Sequence, residues 1–234
     1  MAKKITQIIE DQVQGWSRQS MQLKESGKMA QHLPIITISR EFASGGSDLA
    51  KLLSQKLNYE IWDKELLQAI AHDSKHDEKF LKSLDERRRR AVEDAVLGFV
   101  RNAGSNVSYL RSLIRVVKTI ESHGKSIIVG RGANYICTMP SSLHVRIVCP
   151  FHERLRRHAR RTGVSETKAG REVEKKDADR NDFIRYYFKR NVAEPSDYDL
   201  LLNSNTFDNE QMAAIILEAY QQKIGHRLQI QSVE

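Results

Sequence analysis

The sequence has few of the residues that mark secreted, membrane or metal-binding proteins. Of its 234 residues only two are cysteines, Cys137 and Cys149, and neither has neighbours at metal-ligand spacing. We expect buried reduced thiols, with a disulfide or a reactive thiol as the alternative. No apolar run reaches the roughly 18 residues that span a bilayer, so no membrane segment is predicted. The start, Met-Ala-Lys-Lys-Ile-Thr, lacks the apolar region of a signal peptide, which predicts a cytoplasmic protein.

Aromatic residues are also scarce, at 7% of the chain, whereas the net charge is +8. A basic protein takes nucleic acid, an acidic membrane surface or small phosphorylated ligands as partners. The excess charge is concentrated, since residues 151–190 contain thirteen Lys/Arg against seven Asp/Glu. These basic residues are not interleaved with the aromatics on which bases stack. The pattern therefore favours small phosphorylated ligands over long nucleic acid.

Strand-like apolar segments alternate with helical segments along the chain. The apolar segments are residues 35–39, 59–63, 126–130, 143–149 and 198–203, and the last amphipathic helix is predicted at 208–223. This alternation predicts an α/β fold with a parallel five-stranded sheet and helices on both faces, its first strand central. The ligand is then expected at the carboxyl ends of the strands, after Ser39, Trp62, Gly130 and Val148.

The N-terminal segment lies outside this alternation. Apolar residues recur at helical spacing there and predict an amphipathic helix over residues 4–24. Residues 1–32 are thus an N-terminal helix and linker, and residues 33–230 form the main domain. The helix packs either on that domain or on a partner subunit, in which case the chain is a homodimer.

Residues 35–51 carry most of the functional information. An apolar β-branched run enters a loop of small residues, and an amphipathic helix leaves it. This strand–loop–helix unit aims backbone N–H groups at a phosphate. In the loop, Gly45 and Gly46 permit close approach of the backbone, and Ser44 and Ser47 offer hydroxyl groups. A plain strand-to-helix turn is the alternative, because S-x-G-G by itself is common.

The loop lacks the Lys that the Walker consensus places after its last Gly, and Gly46 stands there instead. Ser47 follows, where a hydroxyl would face Mg²⁺, and Asp48 is the next candidate metal ligand. Arg40 is the only basic residue of the loop and is predicted to supply the missing cation. The alternative is that Arg40 pairs with Glu41 or another acid and only shapes the loop.

Further arginines follow the later strands. Arg131, between two glycines at the end of segment 126–130, is well placed to bind an anion or, alternatively, to brace the loop by pairing with an Asp. Arg154, Arg157 and Arg161 fall on one face of a predicted helix. No compensating acids occur at 154–161, which favours an anion site over a solvated helix face. The arginine run at 87–90 is predicted to be exposed.

The order of these signals resembles the cytidylate-kinase-like family of P-loop nucleoside monophosphate kinases over roughly residues 33–223. Residues 37–46 resemble its S-R-E-[YF]-x-S-G-G opening, and residues 63–67 are similar to its D-K-E-L. Gly130-Arg131-Gly132 lies where cytidylate kinases carry G-R-D. Residues 177–180 resemble the lid pattern D-x-x-R, and residues 198–203 the strand Y-D-L-x-x-N. Five matches in order are far more specific than any one of them.

The chain also departs from true cytidylate kinases. Against their loop G-P-S-G-x-G-K-G-T, Arg40 replaces the first Gly, Gly46 the Lys and Asp48 the Thr. The lid pattern R-D-x-x-D-x-x-R begins here with Val173 and Glu174. The kinase-like branch of the family itself carries the changes at 40 and 46.

The resemblance implies a P-loop kinase sheet with a helical acceptor-binding region at 64–123, a lid at 150–190 and an extra N-terminal helix. It implies phosphoryl transfer from ATP with Mg²⁺ to a nucleoside monophosphate or another small acceptor. The catalytic residues it implies are Arg40, Arg131, Asp177 and Arg180. The binding residues are Ser44, Gly45, Gly46, Ser47, Arg157 and Arg161 for the nucleotide, Asp63 and Arg131 for the acceptor, and Ser47 and Asp48 for Mg²⁺.

Two other functions stay open at the level of the sequence. A binding or regulatory module would hold a nucleotide without turning it over, which the missing Lys and Thr of the loop favour. The intact arginines beyond the loop count against that hypothesis. A nucleic-acid-binding protein is suggested by the net charge, and steep salt dependence of binding would support it. No motif in residues 64–120 identifies the acceptor.

Overall fold

The computed structural model describes residues 7, 10–16, 18, 34–72, 74–100 and 107–225. They group into two compact units. The first is drawn from within Met1–Pro34 and Asp63–Gly124, and the second from within Ile35–Trp62 and Lys125–Glu234.

The second unit is built on a five-stranded, wholly parallel sheet. In chain order its strands are β1 (Ile35–Arg40), β2 (Glu60–Trp62), β3 (Ser126–Val129), β4 (Leu143–Val148) and β5 (Leu200–Asn203). Their order across the sheet is β2-β3-β1-β4-β5. The first strand is therefore central, and its Ile38 pairs with Val129 on one side and Val145 on the other. The predicted α/β fold with a parallel five-stranded sheet is confirmed.

The helices connect the strands, with a short 3₁₀ turn at Pro195–Asp197. In chain order they are α1 (Gly46–Leu57), α2 (Lys64–His72), α3 (Ser74–Lys82), α4 (Glu86–Val100), α5 (Val107–His123), α6 (Ala133–Ile136), α7 (Phe151–Thr162), α8 (Glu166–Phe188) and α9 (Asn209–Ile224). Within the described ranges, every helix is too short or too polar to cross a bilayer.

The two faces of the sheet differ in character. Ile36 and Ile38 of β1 belong to an apolar cluster with buried residues of α1 and α9, among them Leu53 and Ile216. Successive strand residues point to opposite faces. Thr37 therefore points away from this cluster, and its hydroxyl lies 2.8 Å from Nδ1 of His144. Strands of a parallel sheet are usually apolar on both faces, so this face is more polar than is typical.

The first unit contains α2 to α5 and the described helical residues of the N-terminus. Trp16 stacks on His123 at 4.0 Å between ring centroids and meets the ring edge of Phe80 at 5.2 Å. Burial lowers the pKa of His123 to about 3, and Arg88 acts in the same direction. At Trp16 the N-terminal segment thus packs on helices of its own chain.

Other sequence predictions for this unit have mixed outcomes. Much of the helix predicted over 4–24, and the interruption predicted at 102–106, lie outside the described residues. In the arginine run at 87–90, Arg87 and Arg90 are exposed as predicted. Arg88 and Arg89 are half-buried, because their guanidinium groups donate to the backbone carbonyls of Ser122 and Leu84.

Truncating a buried leucine of α1 tests the position of the core. Leu53→Ala removes a fully buried side chain and is expected to cost about 3 kcal/mol of unfolding free energy, because the cavity closes only partly. Leu201→Ala is the control, since Leu201 is 45% exposed on β5, and should cost less than about 1 kcal/mol. Equal losses in urea denaturation would contradict this core.

Candidate functional site

The loop between β1 and α1 depends on its small residues. Ala43 and Gly45 have left-handed backbones, with φ of +60° and +84°. Ser44 is buried, and its hydroxyl donates to the carbonyl oxygen of Glu41 at 2.9 Å. Helix α1 begins at Gly46 without a side-chain cap from Gly45. The positive end of this helix is therefore open to an anion.

The side chain of Arg40 crosses this loop. A Cβ at Gly46 would lie 2.8 Å from Cβ and 3.1 Å from Cγ of Arg40. A Cβ at Gly130, at the end of β3, would overlap Nη1 of Arg40. Only glycine fits at both positions while Arg40 keeps this path. The Gly at position 46, where the consensus has Lys, and the Arg at position 40 therefore depend on each other, because the path of Arg40 leaves no room for a side chain at position 46.

Arg154 of α7 joins the loop to the helices that follow β4. Its Nε lies 3.3 Å from Oε2 of Glu41, and it pairs with Asp177 of α8. Arg154 also donates to the carbonyl oxygen of Phe42 at 3.2 Å, and Asp177 accepts from the backbone N–H of Phe42 at 2.7 Å. We call Glu41, Arg154 and Asp177 the brace. It holds the loop by both side-chain and backbone contacts.

The brace corrects one sequence expectation. The arginines of 154–161 were expected to lack compensating acids, which is wrong for Arg154. Its acids come from distant parts of the chain, Glu41 in the loop and Asp177 in α8. Arg154 is buried, so these contacts identify it as a structural residue of the loop.

Arg180 brings a further positive charge to the end of β1. Its Nη1 donates to the carbonyl oxygen of Arg40 at 2.9 Å, and its guanidinium lies 5.5 Å from the ring centroid of Phe42. Burial lowers the pKa of Arg180, and Asp177, at 3.9 Å, opposes the shift. Three other guanidinium groups lower that pKa as well, those of Arg154, Arg146 and Arg131. Such crowding of like charges favours an anion among them.

Arg131 lies at the tip of β3 in a left-handed backbone, with φ of +54°. Its guanidinium lies 4.5 Å from the ring centroid of Phe183. A Cβ at Gly132 would overlap the ring of Phe188. The aromatic residues at the end of α8 therefore pack closely on the Gly-Arg-Gly turn.

The predicted nucleotide-binding arginines of α7 lie in different surroundings. Arg157 donates to the hydroxyl and the carbonyl oxygen of Ser204, at 3.0 and 2.7 Å. This ties α7 to the loop after β5. Arg161 is exposed in the last turn of α7. Their predicted contacts with the donor nucleotide stay predictions.

The predicted metal ligands Ser47 and Asp48 are exposed in the first turn of α1, where Asp48 lies 3.5 Å from Lys51. Across the described residues, no group of three or more His, Cys, Asp or Glu is placed to hold a metal ion. This donor set fits Mg²⁺, which keeps several waters and is held largely by phosphate oxygens. Asp63, predicted to bind the acceptor, caps α2, its Oδ1 accepting from the N–H of Leu66 at 2.9 Å.

Sequence reasoning missed the roles of Glu41 and Arg146. Arg146 of β4 is buried, and its Nη1 donates to Oγ of Ser39 at 3.0 Å. The sequence did contain a signal for it, a charged residue in the middle of the apolar segment 143–149. Glu41 had no such signal, because its partner Arg154 is more than a hundred residues away.

Comparison with known proteins identifies the family. Residues 35–206 match the model of the cytidylate kinase-like family. This is more than half of the chain, and the chain belongs to that family. Membership implies nucleotide binding and a kinase-like role.

Individual relatives are more distant. A uronate isomerase of Corynebacterium glutamicum is 24% identical over 133 residues, which are 57% of this chain and 26% of that protein. The chain thus spans about a quarter of the length of that curated relative, whose name describes the longer protein.

Two solved structures are similar in backbone. An uncharacterized protein from Eubacterium ventriosum has a TM-score of 0.65 at 23% identity, over 82% of this chain and 99% of that one. It supports the fold alone. The YorR protein of Bacillus subtilis, solved in complex with phosphorylated GDP, has a TM-score of 0.42 at 11% identity, over 82% and 99% of the chains. That likeness is too weak to carry an argument.

A methyl group at Gly46 tests the path of Arg40. Gly46→Ala is expected to lower the unfolding free energy by about 1–3 kcal/mol, because the new Cβ overlaps Cβ of Arg40 and the chain must shift. Gly170→Ala in α8 is the control, since the nearest atom to its new Cβ is Cζ of Phe151 at 3.7 Å. It should be neutral or stabilise by up to about 1 kcal/mol. Unchanged thermal stability in Gly46→Ala would show that Arg40 does not cross this position.

Proposed function

We propose that the chain transfers the γ-phosphoryl group of ATP, with Mg²⁺, to a nucleoside monophosphate of the cytidylate type or to another small acceptor. The observation that supports this most is the path of Arg40 over Gly46 to Gly130. It places the stem of a basic side chain over a phosphate-type loop that has no Lys, with its guanidinium group at Gly130, the end of the neighbouring strand β3.

The chemistry asks for positioning and for neutralisation of charge. Phosphoryl transfer passes through a transition state with negative charge spread over the phosphoryl oxygens, and it needs little covalent help from the protein. In our proposal the loop N–H groups and the start of α1 hold the donor phosphates, and the guanidinium group of Arg40 moves from Gly130 to lie beside them. Mg²⁺, when bound, neutralises charge on the phosphate oxygens, with Ser47 and Asp48 as its protein ligands. The acceptor phosphate is already anionic, so no general base is required.

Arg131 and Arg180 act on the reacting groups in this proposal. Arg131 holds the acceptor phosphate, and Arg180, fixed on the carbonyl oxygen of Arg40, stabilises the transferring group. Asp177 acts through its contacts with Arg154 and the loop, and is therefore a positioning residue. Arg157 and Arg161 are donor contacts that require movement of α7.

A nucleotide-binding module without turnover is the second candidate. The engagement of Arg157 by Ser204 favours it, because a guanidinium group that is held by two oxygen atoms of the chain is less available to a donor phosphate. An ATP-consumption screen against nucleoside monophosphates and other small acceptors separates the two candidates. Nucleotide binding without turnover of any acceptor would support the module.

Substitution of Arg40 tests the proposed cation. Arg40→Ala should reduce turnover about a hundredfold, since losing a preorganised cation costs on the order of 3 kcal/mol in the transition state, and should weaken ATP binding much less. Arg40→Lys should recover only part of the rate, because a point charge lacks the guanidinium fork. Arg156→Ala is the control for lost charge, as Arg156 is exposed and pairs with Glu153. Full turnover in Arg40→Ala would assign the cation to the lid instead.

The lid hypothesis for residues 150–190 is tested by hydrogen exchange. Clustered cations in α7 and α8 are expected to close on the donor phosphates, and lids of this kind move on μs–ms timescales. Exchange across residues 160–182 should slow when ATP and Mg²⁺ are added, while α9 serves as the internal control. Equal protection with and without nucleotide would remove the lid from the proposal.

A further inference from the structure

Arg146 is a buried arginine of β4 for which the proposed mechanism has no use. It is 5% exposed and lies opposite Ser39 in the register of β1 and β4. Its Nη1 donates to Oγ of Ser39, and its guanidinium lies 5.7 Å from the ring centroid of Tyr198. The hydroxyl group of Tyr198 in turn lies 3.3 Å from Oγ of Ser39. A guanidinium, two hydroxyl groups and an aromatic ring thus meet on one face of the sheet.

Arg146 has no acidic partner in the part of the chain that the structure describes. The ion pairs around the loop go to Arg154 and Arg180, through Glu41 and Asp177. Arg146 itself contacts the hydroxyl group of Ser39 and the aromatic ring of Tyr198. A buried charge is costly unless a counter-charge compensates it. Five N–H groups are available on a guanidinium, and Ser39 takes one.

The neighbouring guanidinium groups also indicate an anion site. Arg146 and Arg131 both lower the pKa of Arg180. Arg146 is bound to Ser39, and Arg180 to the next residue of β1 through the carbonyl oxygen of Arg40. The two guanidinium groups are therefore anchored on consecutive residues. Positive charges held this close favour an anion between or beside them.

The face of the sheet decides which substrate this anion belongs to. Ile38 and Ile147 belong to the apolar cluster with α1. Ser39 and Arg146 alternate with them and point to the opposite face. The start of α1, which would take the donor phosphates, is thus on the other side of the sheet from Arg146.

A cavity lies beside Tyr198, the residue whose ring faces Arg146, although Arg146 itself does not line it. Tyr198, over which Arg146 lies, lines a cavity of about 280 Å³ together with Tyr135, His144 and Asp197. His144 and Arg146 are two residues apart on β4 and share a face. Its lining also includes Arg190 and a second carboxylate, that of Asp199, so the cavity carries charges of both signs.

We propose that Arg146 binds an anionic group, a phosphate or a carboxylate, of the phosphoryl acceptor on this polar face of the sheet. The assignment of this group to the phosphoryl acceptor rests on the proposed function, whereas the anion site does not. Arg146 is then a determinant of acceptor affinity and has no part in binding the donor.

Calorimetry on the full chain tests the anion site without any turnover. Inorganic pyrophosphate is titrated into the wild type, Arg146→Met and the control Arg156→Gln, which removes an exposed, paired charge. Arg146→Met should weaken pyrophosphate binding on the order of tenfold or more, and Arg156→Gln less than about twofold. Arg146→Met should also keep or raise Tm, because an apolar side chain replaces an uncompensated charge. Unchanged pyrophosphate affinity would overturn the proposal at any Tm, and a lower Tm beside it would make Arg146 structural.

Two further measurements complete the test. The affinity for the ATP analogue AMP-PNP with Mg²⁺ should be unchanged in Arg146→Met, and an equal loss there would assign Arg146 to the donor and overturn the acceptor assignment. If no form binds AMP-PNP, the proposed function fails while the pyrophosphate result still decides the anion site.

If Arg146→Met does not fold, Arg146→Lys decides instead. It should keep the wild-type Tm and bind pyrophosphate more weakly, because it lacks the fork, and wild-type affinity would overturn the proposal.

Discussion

The passage of the Arg40 side chain across Gly46 is the constraint on which the rest of the site depends. A side chain at position 46 would meet Cβ of Arg40, and one at position 130 would meet its guanidinium. The loop, the start of α1 and the tip of β3 must therefore change together or not at all. This explains why the loop can lose a Lys and still keep a cation at the carboxyl end of the central strand.

The brace determines which of the arginines near the end of β1 are paired with acids. Glu41 and Asp177 are both engaged with Arg154, which is buried between them and the backbone of Phe42. Arg180 shares Asp177 with Arg154, at a longer distance of 3.9 Å. In our proposal, anion affinity at this site depends on how the acids are distributed as well as on the number of arginines. This distribution of acids also explains why a count of acidic and basic residues along one helix did not predict the pairing of Arg154.

Local patterns predicted the fold and the loop, and failed where partners are distant in sequence. The alternation of apolar and helical segments predicted the parallel sheet, since parallel strands need crossover connections, and the strand–loop–helix unit at 35–51 pointed to a central first strand. Arg40 and Arg131 were predicted from their place after strands. The pairing of Arg154 with acids was not predicted, since Glu41 and Asp177 are 113 and 23 residues away. The burial of Arg146 was not predicted either, because it depends on the register with Ser39. The predicted contacts of Asp63 and Arg161 have no counterpart yet in the described geometry.

The most direct measurement is a crystal structure of the full chain with ADP, Mg²⁺ and tetrafluoroaluminate, which mimics the transferring phosphoryl group. We expect the guanidinium of Arg40 at about 3 Å from the oxygens or fluorines around the γ-position, a hydrogen-bonding distance. Arg180 should approach from the side of α8. A bound nucleotide whose γ-position is contacted by arginines of the lid, with Arg40 left beside Gly130, would contradict the claim that Arg40 replaces the missing Lys.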